Sequence, residues 1–460
     1  MKIFFAILTD TYRPFGMRRK PWMIVGWCMV LVLLLVLTST ADKMSITTWL
    51  VTLMLVQGFA ILSDVPADGY SVEIANLEKE HEKGQVLATG QRIRFTFCIV
   101  AGVIQTFLLN GPSTNDSDCD INFQNCWSWG LSINAYYGLL FGIVAILTVP
   151  VFWLKELDAT NIPQHTGAHF FAEIWDTLKN LTTFYLIIYV IGIQGFTNFT
   201  SNANIQLQYY VIKLTNFQAG IDTVTTYSAL VLAIWLFQRY MINRDWHLTQ
   251  YASVLIAAGL GLVWIAPFYN SSGTQDPWFT IFIDLDTYFA QGLSQVLYSM
   301  AVIELAKPGQ EATTYELIVT VGNAALMVNG VVSTQLLTPF RGVACNDDDT
   351  ASGCGSNTVD TDSPETFKDS GGPWRFTQYT MVLQSISVIS VFLFTRFLPR
   401  SKKMCRDWKE LGEQLGTSTR RGQITLAIIV ITLLYGIVGA ILLLNVNTSC
   451  LPEVGGSGCD

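Results

Sequence analysis

The feature that most constrains this chain is a series of long apolar runs almost free of charge. A helix needs roughly 20 mostly apolar residues to cross roughly 30 Å of hydrocarbon. Eleven segments meet that requirement, at about 21–39, 46–64, 91–110, 132–154, 181–202, 221–242, 248–268, 278–304, 315–338, 378–398 and 423–445. Several are interrupted by Gln, Asn or Asp, which points to helices that line something other than lipid. Composition agrees: only 13% of residues are Asp, Glu, Lys or Arg and 51% are apolar, whereas soluble proteins carry about 25% charge. Too few polar residues remain to cover a water-facing surface. That excludes a soluble enzyme, a disordered chain and a nucleic-acid binder, and the net charge of -8 also argues against nucleic acid. The fold class is all-α, a polytopic membrane protein with about 11 full transmembrane helices.

A partial helix precedes them. Residues 2–9 are apolar but reach only about 12 Å at about 1.5 Å per residue. They lack a small-residue cleavage site, so they read as the inner end of a helix that begins upstream.

Lys and Arg concentrate in cytoplasmic loops. One set of alternating loops carries 21 of the 27 basic residues, and the other carries Lys43, Lys213, Arg341, Lys368 and Arg375. The basic side is therefore expected to be cytoplasmic. Glycosylation acceptors begin at Asn115, Asn180, Asn198, Asn270 and Asn447, and all but Asn180 fall on the opposite side. Cys119 with Cys126, Cys345 with Cys354, and Cys450 with Cys459 also lie there in pairs within single segments. They are either disulfides of an oxidising compartment or free thiols. Cys28, Cys98 and Cys405 are expected to be free. These signals fit a glycoprotein in the plasma membrane or a vacuolar or other organellar membrane of a eukaryote.

The link 155–180 places Phe170, Phe171, Ile174, Trp175 and Leu178 at helical spacing, with Glu173, Asp176 and Lys179 between them. That pattern predicts a short helix on the membrane surface. It divides the chain into an N-terminal bundle (1–154), the linker (155–180) and a C-terminal six-helix bundle (181–398). A basic loop (399–422), an extra helix (423–445) and an outer tail (446–460) follow.

Three motifs stand at helix ends. The first runs Asp10, Arg13, Pro14, Gly16, Arg18, Arg19, Lys20, Pro21. It is an acid, a Pro/Gly turn and a basic cluster. The acid can pair with a basic group or a neighbouring helix terminus and release it, or the cluster only sets topology. The second contains Asp64, Pro66, Asp68 and Glu73. Asp64 and Asp68 share one face of a continuing helix and repel unless they hold a cation, a proton or an arginine. Arg92 and Arg94 are the nearest basic residues in sequence. The alternative is a solvated helix end. The third is the tight turn Lys307, Pro308, Gly309, Gln310, Glu311, Ala312, Thr313. A helix-dipole cap fully explains Glu311 by itself.

Together the three motifs resemble the folate–biopterin transporter family of the major facilitator superfamily, over about residues 2–400. The resemblance implies two pseudo-symmetric six-helix bundles around a central cavity. It also implies alternating access and proton-linked or exchange transport of pterin-like solutes. The chain departs from the family pattern in three ways. The first helix and half of the second are missing, 196–210 lacks an expected proline, and 423–445 is extra.

Ionisable groups inside a bilayer are costly and usually functional. Asp284 and Asp286 lie in the span 278–304, with Gln291 and Gln295 one and two turns below. They are either a proton or substrate-amine site or a helix-packing pair. Gln57, Gln105, Gln194, Asn198, Asn202, Asn204, Asn323, Asn329 and Gln335 could pair with the amide-like edge of a pterin, and Trp264, Tyr209 or Tyr210 could stack on it. Such residues are more often interhelical glue than ligand contacts.

No cofactor and no metal are expected. His165 and His169 flank helix-breaking Gly167 with no acid between them, and a solvated loop accounts for Asp347, Asp348 and Asp349. There is no phosphate loop or nucleophile elbow; the missing nucleotide site argues against a primary pump, and an intramembrane enzyme would need a catalytic dyad at matched depth that the sequence does not show. The expected partners are a small organic solute of the folate or pterin kind, a coupled proton and membrane lipid. The competing reading is a transporter-like receptor or accessory protein that binds without flux.

Overall fold

A computed structural model describes residues 2–109, 129–156, 167–197, 199, 216–270, 278, 281, 285–306, 310–337, 340, 372–414 and 418–444. Among them the long elements are all helical: α1 (Lys2–Thr11), α2 (Lys20–Thr40), α3 (Ile46–Leu77), α4 (Gln85–Leu108), α5 (Ile133–Trp153), α6 (Gly167–Lys179) and α7 (Leu181–Phe196). They continue with α8 (Asn216–Leu236), α9 (Trp246–Asn270), α10 (Leu285–Leu305), α11 (Glu311–Leu337), α12 (Gly372–Phe394), α13 (Lys402–Gln414) and α14 (Thr419–Leu444). Each of the eleven expected spans overlaps one of these helices. Eight helices among the described residues are long and apolar enough to cross a membrane by length and composition, and α7 is a shorter apolar helix.

The helices fall into two compact units. The first comprises Met1–Gln91, Ile104–Thr177 and Val302–Thr320, and the second Arg92–Val103, Leu178–Ala301 and Val321–Asp460. In the first unit α2 packs between α3 and α5. Val30, Leu34, Leu37 and Ala41 recur at helical spacing and are buried against Tyr137 of α5, with Trp27, Trp49 and Phe59 around them. Val25, Val32, Leu35 and Val36 on the other faces are exposed, as a helix in lipid requires. Gly26 permits the α2–α3 approach, since a Cβ there would lie 2.8 Å from the Phe59 carbonyl oxygen. Beside it Ser63 donates to the Met23 carbonyl at 2.8 Å.

α3 has 32 residues and so extends about 48 Å, well beyond hydrocarbon thickness. The expected span ended near residue 64. The helix instead continues through Pro66 to Leu77 and carries the whole second motif.

In the second unit α12 packs against α7 and α9. Gly192 faces the Phe394 ring, leaving no room for a Cβ. A buried polar chain crosses three helices. Tyr189 donates to Gln250 at 2.7 Å, and Gln250 donates to Ser294 at 3.0 Å. Cys28, Cys98 and Cys405 are free. The six cysteines expected to pair lie outside the described residues.

Candidate functional site

The site builds on the turn between α1 and α2. Pro14–Gly16 form a single helical turn in which Phe15 and Gly16 have φ of 56° and 76°. That left-handed pair is accessible to glycine and costly for phenylalanine. It reverses the chain so that Arg18 and Arg19 come back onto the end of α1. Glu156, just beyond α5, holds them there. Its carboxylate accepts from the backbone N–H of Arg18 at 2.8 Å and Arg19 at 2.5 Å, and from that of Lys20. These N–H groups open α2 and have no partner within the helix, and a carboxylate is the favoured acceptor there.

The two guanidinium groups then meet three carboxylates. Arg18 lies 2.9 Å from Asp10, 2.9 Å from Glu73 and 2.8 Å from Glu311. Arg19 lies 2.8 Å from Asp10 and 2.8 Å from Glu73, and also donates to Thr9 at 3.2 Å. The second Asp10 oxygen accepts from the Thr313 N–H at 2.9 Å and the Thr313 hydroxyl at 2.6 Å. Asp10 therefore binds both an arginine and the opening turn of α11. All five charged side chains are buried. Burial alone would lower the pKa of Arg18, but Asp10, Glu73 and Glu311 outweigh it and raise the pKa above its ordinary value. Arg13, across the turn, shifts the opposite way through partial burial and the charges of Arg18 and Arg19.

A second layer lies along the same three helices. Lys2 of α1 is 3.0 Å from Asp64 and 3.7 Å from Asp68 of α3, and 3.6 Å from Glu316 of α11. Lys83 pairs with Glu304 at 3.0 Å, and Gln91 donates to the Tyr315 hydroxyl at 3.2 Å. Every one of these residues belongs to the first unit. Chemically the arrangement ties α1, the α1–α2 turn and α3, from early in the chain, to residues 310–316, from late in it. It does so with ion pairs that are buried or half-buried.

The structure gives several of these residues partners that their sequence neighbours do not supply. Glu311 is more than a cap, because its carboxylate is taken by Arg18. Lys2 is a cation beside Asp64 and Asp68, brought there by the packing of α1 on α3. Arg92 and Arg94 stand on α4, at the start of a segment that belongs to the second unit. Gly16 serves through its backbone, and Pro308 and Gly309 lie outside the described residues.

The polar candidates within spans divide differently. Asp286 was expected about two turns inside the span 278–304. It stands in the first turn of α10, buried, and accepts the Thr287 N–H at 2.7 Å, as a carboxylate at a helix N-terminus does. A Cβ on Gly261 would lie 2.7 Å from Gln384 and 3.6 Å from Asp286, so α9, α10 and α12 converge there. Gln291 and Gln295 are half-buried below it, Gln194 is buried, and Gln57 and Asn323 are exposed. Asn329 binds the end of α7 through the Thr197 carbonyl at 3.1 Å. Asp284 and Asn198 lie outside the described residues. No cluster of metal ligands occurs among the described residues.

Glu156, Lys2, Glu316 and the Tyr189–Gln250–Ser294 chain escaped the sequence reading. Glu316 had a usable signal, since it stands five residues from Glu311 in an otherwise apolar helix.

Comparison with known proteins follows the same lines. The BT1 family model matches residues 1–354. A search of curated proteins finds no match. The structure is similar to the E. coli fucose:proton symporter FucP, with 14% identity, 86% of each chain covered and a TM-score of 0.51. A second FucP structure, in the outward conformation, matches at 14% identity and a TM-score of 0.50, covering 85% of this chain and 86% of that one. At this identity the likeness shows the fold, which is that of the major facilitator superfamily. The protein is an integral, multi-pass membrane transporter for a small solute, and it belongs to the BT1 family, the folate–biopterin transporters of that superfamily.

Proposed function

We propose that this chain is a secondary active transporter that moves a folate, pterin or similar organic solute by alternating access, coupled to a proton. The observation that carries the reading is the buried Arg18–Arg19 cluster, which fastens Asp10 and Glu73 to Glu311 and Thr313. It is a gate: the bonds hold in one state and part together in the other. Buried ion pairs suit that role because they are strong while dry and cheap to separate once hydrated. Family membership supports the solute class, and the fold it shares with a fucose:proton symporter supports proton coupling. The basic loops face the cytoplasm. Asp286, Asp284, Gln291, Gln295 and Gln194 are the candidates for solute or proton contact.

The test is uptake of labelled folate and biopterin at two external pH values, in cells expressing wild type, Asp284→Asn or Asp286→Asn at equal surface levels. Saturable uptake that rises with the inward proton gradient and is lost in either variant supports the reading. Normal pH-dependent uptake in both variants removes them as proton carriers. Saturable binding without uptake would make the protein a receptor.

A further inference from the structure

The two layers of charge differ in how well their carboxylates are satisfied. Around Arg18 and Arg19, Asp10, Glu73 and Glu311 each lie within 3.0 Å of a guanidinium nitrogen. Around Lys2 a single ammonium stands among three carboxyl groups, and its one short contact, at 3.0 Å, goes to Asp64.

Glu316 is the outlier of that layer. It is 0% exposed, no N–H or hydroxyl donor reaches either of its carboxyl oxygens, and its side-chain hydrogen-bonding neighbour is another carboxyl group, that of Asp68. Its one cation among the described residues is Lys2, at 3.6 Å, beyond hydrogen-bond length. An ionised carboxylate in a dry interior calls for several donors and a close countercharge. Glu316 has neither, and it shares its distant cation with Asp64 and Asp68. A neutral carboxylic acid needs no countercharge, and neighbouring carboxyl groups commonly relieve their repulsion by holding a proton. The charged groups facing it are Lys2 from α1 and Asp64 and Asp68 from α3. Asp10, Arg18, Arg19, Glu73 and Glu311 occupy the adjoining layer.

We propose that Glu316, walled by Asp68, Asp64 and Lys2, is a proton-binding site that is occupied in this conformation at neutral pH. The proton binds reversibly to the Glu316 carboxylate, with no other bond made or broken. The site lies one helical step along α11 from Glu311, so separation of the α1–α3–α11 contacts exposes it to water and lets the proton leave. That coupling role rests on the transporter reading above, whereas the presence of the proton does not.

Infrared spectroscopy of the full chain in lipid nanodiscs tests this without any solute. The wild type should show the carbonyl stretch of a protonated carboxyl group at neutral pH, exchange-shifted in D2O. That band should disappear in Glu316→Gln and persist in Glu311→Gln. Glu316→Gln is isosteric with the neutral acid, so its thermal unfolding midpoint should match wild type. If Glu316→Gln does not fold, Glu316→Asp should show the band at a displaced frequency. A wild-type spectrum without the band overturns the proposal. So does a band of unchanged area in Glu316→Gln, or of unchanged frequency in Glu316→Asp. Absence of uptake with the band present would count against the transporter reading alone. Absence of the band with pH-dependent uptake would count against this site alone.

Discussion

Arg18 and Glu311 stand 293 positions apart in the chain and meet at 2.8 Å. The Arg18 fork also reaches Asp10 and Glu73, so one side chain joins α1, α3 and α11. Arg18→Ala strands buried carboxylates from all three helices. Removing one partner of a buried pair typically costs about 3–5 kcal/mol. Thermal unfolding in detergent should show a loss of that size. Arg18→Lys keeps the charge but loses the fork, and should be affected less.

Glu156 anchors the opening turn of α2 through three backbone N–H groups. Glu156→Ala should destabilise by about 1–3 kcal/mol, the cost of leaving buried donors unpaired. Glu156→Gln keeps an acceptor and should recover most of the loss. Equal losses in both would show that charge, rather than hydrogen bonding, is what Glu156 supplies.

Gly192 packs on the face of Phe394. Gly192→Ala should cost about 1–3 kcal/mol through overpacking, and Phe394→Leu should restore part of it in the double variant. A double-variant cycle read by thermal unfolding measures the coupling. Additive losses would contradict the contact.

The Tyr189–Gln250–Ser294 chain is fully internal. Gln250→Leu leaves the Tyr189 hydroxyl unpaired and should cost about 1–3 kcal/mol. Adding Tyr189→Phe should reduce that penalty, because a buried donor then disappears. Unfolding midpoints of the two single variants and the double variant settle the order.

The spans were legible because hydrocarbon imposes a length and forbids charge, and α2 or α5 has no other reading. The charge cluster was legible in part. Asp10, Arg18, Arg19, Glu73 and Glu311 announce themselves as charges beside Pro/Gly turns at helix ends. Which of them pair was not legible, since Glu311 joins Arg18 only through the fold. Lys2 was hidden in a short apolar segment whose packing on α3 no local pattern encodes. Asp286 read as lying within an apolar span because apolar residues continue upstream of it, and it stands in the first turn of α10, Leu285–Leu305. Hydropathy locates apolar stretches and is blind to where a helix begins.

The central claim is that the Arg18 cluster gates solute movement. Its most direct test compares uptake with binding in Arg18→Ala and Arg18→Lys, using labelled folate and biopterin at matched surface expression. The wild type should accumulate one of these solutes saturably. Arg18→Ala should bind the solute but fail to accumulate it, and Arg18→Lys should lie between the two. Accumulation by Arg18→Ala at the wild-type rate would show that the cluster is not a gate.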